Sequence, residues 1–239
     1  MIEYKKYLTL NQTRKLQIFI EKLIQILSIE QKNTHKGKFY QSSLFSFWQL
    51  LLTEMKKFGF DQIMYGFMLG RIYRGEIMKK SNFLSTFDSE FMDIYVKENH
   101  IHYSYPNCWC IKRNEALSWF DVKPDKLKTT LHQLFPDIVN FKQYILCDNF
   151  RRDFGLNIGV SIPLSLRTGN NRGGLGLCTT TMNSNEFRAM FKEYGQLIIK
   201  LVQAYHQHVN QTIFEVPELC YSASLTHRLV YLDRNEKKY

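Results

Sequence analysis

The sequence predicts an α+β sandwich, an antiparallel sheet with helices on both faces. Three observations carry this. First, residues 153–182 form a hairpin pattern: Ile158, Val160, Ile162, Leu164 and Leu166 share one parity, and Leu175 and Leu177 repeat it after a polar turn from Thr168 to Gly173. Side chains alternate faces along a strand, so this period marks one deeply buried face. The opposite parity carries Gly159, Ser161, Ser165, Gly174, Gly176 and Cys178, all small. Second, Phe187, Met190, Phe191, Tyr194, Leu197, Ile198, Leu201 and Tyr205 mark one face of a long helix. Third, the order helix-helix-strands-helices-hairpin-helix suits stacked layers of helix and sheet. Ordinary packing explains the small face of the hairpin, and so does a ligand beside the sheet. Periodicity alone favours packing.

Taken in order, Asn11 is expected to cap a first helix carrying Leu16, Phe19, Ile20, Leu23, Ile24 and Leu27. A polar break from Glu30 to Lys38 follows. A second helix is expected from Ser42 or Ser43, with Phe45, Trp48, Leu51, Leu52 and Met55, and Gly59 as its stop. Residues 62–69 and 83–87 have the branched and aromatic content of strands. Asp88 or Ser89 would cap a helix bearing Phe91, Met92 and Tyr95. Residues 100–121 are mixed and resist division. Helices are expected over 125–134 and 137–154, ahead of the hairpin. Asn183 with Glu186 three residues on has the form of a capping box. Beyond Asn210 the periodicity is lost. The long helix would pack on its own sheet, or continue into a dimer partner, since Ile199 and Val202 widen its stripe.

Composition bounds the function. A chain of 239 residues suits one large domain, here 1–210, with a tail over 211–239. Its 15% aromatic content can fill a large core or wall a cavity. No apolar run approaches the roughly 18 residues needed to span a bilayer. The opening stretch lacks the apolar segment of a secretory signal. Five scattered cysteines argue for reduced thiols, and a cytoplasmic location is expected. The net charge of +10 is spread along the chain and does not by itself indicate nucleic acid.

Catalytic and metal chemistry find little support. His100 with His102 and Cys108 with Cys110 would each share a face if this region were a strand, yet metal sites ordinarily use wider, repeated spacings. The cluster Gly173-Gly174-Leu175-Gly176 leads into a strand and lacks the Lys-Ser/Thr of a phosphate cradle. No nucleophile elbow, zinc-protease or kinase series is present. No catalytic residue, metal or cofactor is expected, and the chain is not expected to be an enzyme.

Phe58-Gly59-Phe60 before a strand, FMDIY at 91–95, Trp119, and above all DFGLNIGVSIPL at 153–164 resemble the LuxR-type autoinducer-binding domain, over roughly residues 12–208. The resemblance implies an α/β/α sandwich around a five-stranded antiparallel sheet. It implies a sensor that buries an acyl-homoserine lactone and dimerises to control transcription. By resemblance, Tyr95 walls the acyl pocket, Trp119 and Gly159 are ligand-site residues, and Thr179 matches a hydroxyl residue on the last strand. Thr179, however, has the parity of Leu175 and Leu177. Three positions depart from the family pattern. Phe87 stands for a tyrosine that bonds the acyl carbonyl, and Phe91 for a tryptophan that donates to the lactone. Ser104 stands for an aspartate that accepts the ligand amide, with Pro106 one place late. Each buried bond lost costs on the order of 1–3 kcal/mol. A more apolar or differently polar signal is therefore expected, or a pocket filled by its own aromatic side chains.

The resemblance also implies a helix-turn-helix module after the sensor. Leu225-Thr226-His227-Arg228 resembles its opening, but residues 211–239 are too few for a recognition helix. The expected partners are a small signal, either an acyl-homoserine lactone or a related apolar molecule, and a second protein chain. That chain is a copy of this one or a full-length LuxR-type regulator. No direct DNA contact and no membrane are expected. A stand-alone binding module is the alternative.

Overall fold

The structure is a computed structural model that describes residues 3–33, 36–68, 81–98, 100–121, 129, 141–165 and 172–214. It has the expected α+β class, with a five-stranded antiparallel sheet. The chain divides into two compact units, one formed mainly by 59–188 and the other by 3–58 with 189–239.

The first unit holds the sheet. Its strands are β1 (Gln62–Met68), β2 (Ser81–Ser85), β3 (Leu117–Ser118), β4 (Ile158–Ser165) and β5 (Arg172–Thr179), in the order β2-β1-β5-β4-β3. The register aligns Ile63 and Val160 with Leu177, and Tyr65 and Ile162 with Leu175. These residues are buried, as the period-2 pattern requires. On the opposite parity Met64, Gly176 and Ser161 form one row across three strands. Thr86, just past β2, ties the sheet edge: its amide donates to Ile63 O at 2.8 Å and its Oγ1 accepts from Ile63 N at 2.8 Å.

The helices of this unit are α3 (Ser89–Lys97), α4 (His100–Tyr103), α5 (Tyr105–Arg113) and α6 (Phe141–Asp153). Asp88 caps α3, accepting the Glu90 amide at 2.7 Å. The segment that resisted division holds helices α4 and α5 and then the short strand β3, with Pro106 in the first turn of α5 and Asn114 closing that helix in the left-handed region at φ 53°. This corrects the paired-face reading of His100/His102 and Cys108/Cys110. Residues two apart on a helix point in different directions. Among the described residues no group of three or more His, Cys, Asp or Glu can hold a metal. The strand expected at 83–87 ends at Ser85, so Phe87 lies in the link to α3. All of the helix expected over 125–134 except residue 129, the hairpin turn and the tail from 215 lie outside the described residues.

The second unit contains α1 (Leu10–Asn33), α2 (Lys36–Lys56) and most of α7 (Ser184–Phe214). Thr9, not Asn11, caps α1. Its Oγ1 accepts the Gln12 amide at 3.2 Å, and Gln12 Oε1 accepts the Thr9 amide at 3.0 Å, a reciprocal box. Helix α2 starts at Lys36, earlier than Ser42, and the expected polar break is mostly helical. Gly59 stops the chain after α2 as expected; its φ of +80° suits glycine. Asn183 and Glu186 form the expected box at the start of α7, with bonds of 3.1 and 2.8 Å. Most of the apolar stripe of α7 is buried within the chain: Phe187, Phe191, Leu197, Ile198, Leu201 and Tyr205 are buried, and Met190 and Tyr194 are half-buried. Helix α7 runs to Phe214, past the boundary expected at 210. No described helix is long and apolar enough to cross a membrane.

On α7, burial pushes the His206 imidazole from 6.5 down to about 4. The unfolded chain takes up this proton near its ordinary value, while the folded chain resists it until much lower pH. Stability should therefore fall as pH drops through that window, by about 2 kcal/mol at about pH 5. Urea unfolding near neutrality and near pH 5 tests this. The loss should shrink in His206→Gln, and an identical loss in that variant would remove the assignment.

Candidate functional site

The site is built where α3, α5 and α6 meet the small-residue parity of the sheet. Met64, Phe87, Phe91, Tyr95, Ser104, Pro106, Asn107, Trp119, Cys147, Asp148, Arg151, Ser161 and Gly176 line a cavity of about 30 Å³. Five of the seven residues expected from sequence are in this wall: Phe87, Phe91, Tyr95, Ser104 and Trp119. Phe91 and Tyr95, four residues apart, lie along one side of α3, and Phe87 stands just ahead of its cap. Phe91 is the centre of the aromatic packing. Its ring lies 5.4 Å from Phe87, 5.3 Å from Tyr95, 5.0 Å from Phe150 and 5.3 Å from Phe154.

Trp119 follows the short strand β3 and lies across the sheet. Its Nε1 donates to Ser161 Oγ at 2.8 Å, so the buried indole has a polar partner. The glycines make room for it. A Cβ on Gly159 would come 2.7 Å from Trp119 Cε3 and 2.5 Å from Leu177 O, and one on Gly176 would come 3.2 Å from Trp119 Cζ2. Space left by small residues is thus largely occupied by the protein's own indole. Gly159 acts behind Trp119 and is not itself in the cavity wall.

Thr179 is set apart from the cavity lining, on the sheet parity of Leu175 and Leu177. Its buried Oγ1 pairs with Thr181 Oγ1 at 3.2 Å and accepts the amides of Thr181 and Met182. In this position it shapes the turn into α7.

The polar groups of the cavity converge from three helices. Asn107 Nδ2 donates to the Tyr95 hydroxyl at 3.1 Å, and Ser104 also bonds that hydroxyl. Burial pushes the Tyr95 phenol far up, so it remains a neutral group. Arg151 is buried, donates to Leu156 O and to Asp148 Oδ1 at 2.7 Å, and places its guanidinium 5.0 Å from the centre of the Trp119 ring. Sequence reading missed Arg151 and Asp148. The available signal was the pair of arginines at the end of a helix, which reads equally well as solvated surface.

The four described cysteines are buried, and among the described residues none forms a disulfide. Burial pushes the Cys108 thiol up to about 11 and those of Cys147 and Cys178 up to about 12, and it raises Cys110 as well. Near neutrality they are thiols, not the thiolates that nucleophilic chemistry needs.

A mostly apolar cavity with a few convergent polar groups is the ordinary form of a small-molecule pocket. Residues 43–209, more than half of the chain, match the autoinducer binding domain family. The chain belongs to that family, the signal-sensing domains of LuxR-type quorum-sensing regulators of transcription. Its fold resembles that of the N-acylhomoserine-lactone-dependent LuxR-family transcription factor CepR2 from Burkholderia cenocepacia. The two are 14% identical with a TM-score of 0.52, over 83% of this chain and 96% of that one. A second solved structure, SdiA in complex with octanoyl-rac-glycerol, is 13% identical with a TM-score of 0.46, over 83% of this chain and 67% of that one. No curated protein matches.

Proposed function

We propose that this domain binds a small, largely apolar signal, an acyl-homoserine lactone or a variant of one, and acts through dimerisation rather than by contacting DNA itself. The carrying observation is the aromatic cavity on the small-residue side of the sheet, walled by Phe87, Phe91, Tyr95, Ser104 and Trp119. Apolar walls favour the tail of such a ligand, at about 25 cal/mol for each Å² removed from water. Tyr95, Ser104 and Asn107 supply hydrogen-bonding groups at one end. The partner in the dimer is a second copy or a full-length LuxR-type regulator, and pairing with the latter would inactivate it. Because most of the α7 stripe is already buried, the surface neighbouring it is the better candidate for pairing.

One observation favours a second reading. A cavity of about 30 Å³ holds little more than a water molecule. Binding an acyl chain requires the aromatic wall of the cavity, which includes Phe87, Phe91, Tyr95 and Trp119, to open. If it does not, the domain works by protein–protein contact with a closed pocket.

Native mass spectrometry of protein purified from its host, with extraction of any co-purifying small molecule, separates these. The expected result is a dimer carrying one apolar ligand per chain. An empty monomer that no acyl compound stabilises would refute both ligand binding and pairing as proposed. An empty dimer would favour the closed-pocket reading.

A further inference from the structure

We propose that the pocket selects an amphipathic ligand whose polar end is an anion, a carboxylate, held by Arg151. This rests on the sensor reading above and deepens it by naming the ligand's head group. Arg151 lies in the last turn of α6, lines the cavity and is only 8% exposed. Two of its guanidinium nitrogens are engaged, by Leu156 O and Asp148. Its buried Nε has no partner among the described residues.

Its one carboxylate partner is divided. Asp148 Oδ2 also accepts from Arg152 Nε at 2.8 Å, so two guanidiniums share one carboxylate; Arg152 is partly exposed, whereas Arg151 is buried at the cavity wall. A buried charged group with an unsatisfied donor is costly, and an acceptor placed at Nε would remove that cost. A planar carboxylate is the acceptor that suits a guanidinium, through charge-assisted hydrogen bonds. With its head at Nε, the tail of such a ligand would run along Phe91 and Trp119. The aromatic rings supply apolar contact and Arg151 supplies the head-group preference.

The chemistry fits a free fatty acid and also a ring-opened acyl-homoserine. The test therefore uses four probes on the full chain near neutral pH: decanoate, N-decanoylhomoserine, methyl decanoate and N-decanoyl-homoserine lactone. Calorimetry should show at least one acid binding about tenfold more tightly than its neutral counterpart. Whichever acid leads identifies the source. Arg151→Gln should erase that preference, so that acid and neutral counterpart bind alike. Asp148→Asn, which removes the competing carboxylate, should keep or increase it, so the proposal is tested even if the first variant folds poorly.

Equal binding of acids and neutral probes, or an acid preference that survives Arg151→Gln, would overturn the proposal and leave the sensor reading standing. Failure of all four probes to bind would overturn both.

Discussion

Replacing Phe91 with alanine is expected to lower stability by about 3–5 kcal/mol, the range for deleting a fully buried aromatic ring. The ring is 2% exposed and meets four other aromatic rings at 5.0–5.4 Å. Each such pair adds roughly 0.5–1.5 kcal/mol beyond burial. The neighbours are held by different elements: Phe87 by the link from β2, Tyr95 by α3, and Phe150 by α6. Collapse into the space would therefore need concerted movement, and a cavity should persist. Urea unfolding measures the loss. Phe91→Leu should lose less, because more of the volume stays filled. The enlarged cavity in Phe91→Ala should also admit a small apolar molecule, which would recover part of the stability by mass action. A loss below about 1 kcal/mol would show that this ring is not the packing centre.

Gly159→Ala should be comparably severe. Overpacking costs about 1–3 kcal/mol when side chains can yield, and this site should exceed that, at about 3–5 kcal/mol. The reason is the identity of the nearest atom. The added Cβ would sit 2.5 Å from Leu177 O, a backbone carbonyl of the strand hydrogen-bonded alongside. Relieving that contact means opening the β4–β5 ladder. The second contact, with the Trp119 ring, is more forgiving. The double variant Gly159→Ala with Trp119→Ala should therefore fail to recover the loss. Full rescue by the smaller residue at 119 would show that the indole, not the backbone, sets the requirement for glycine. Thermal or urea unfolding of the single and double variants decides this.

The hairpin and the terminal helix were legible because burial imposes a simple period on each. Val160, Ile162, Leu175 and Leu177 show alternation, and α7 shows 3.6-residue spacing. Asp88 and Asn183 were legible because capping is local chemistry. The region 100–113 was opaque for a physical reason. Short helices α4 and α5 show too few turns for a period to emerge, and their aromatic residues suit strands equally well. Thr9 was overlooked as a cap because Gln12, its reciprocal partner, reads as surface yet is buried. In the site, Phe87, Phe91, Tyr95, Ser104 and Trp119 were found through family resemblance. Arg151 was invisible because sequence does not reveal which arginine of Arg151-Arg152 turns inward. Thr179 followed the parity of its strand, which keeps it off the cavity face.

The spacing of Phe87, Phe91 and Tyr95 ties the cavity to one short helix. Two of these rings ride on the nine-residue helix α3, and the third sits beside the cap that anchors it. A displacement of that helix would shift both of its rings together. Part of the cavity wall is thus carried by a single element instead of being assembled ring by ring.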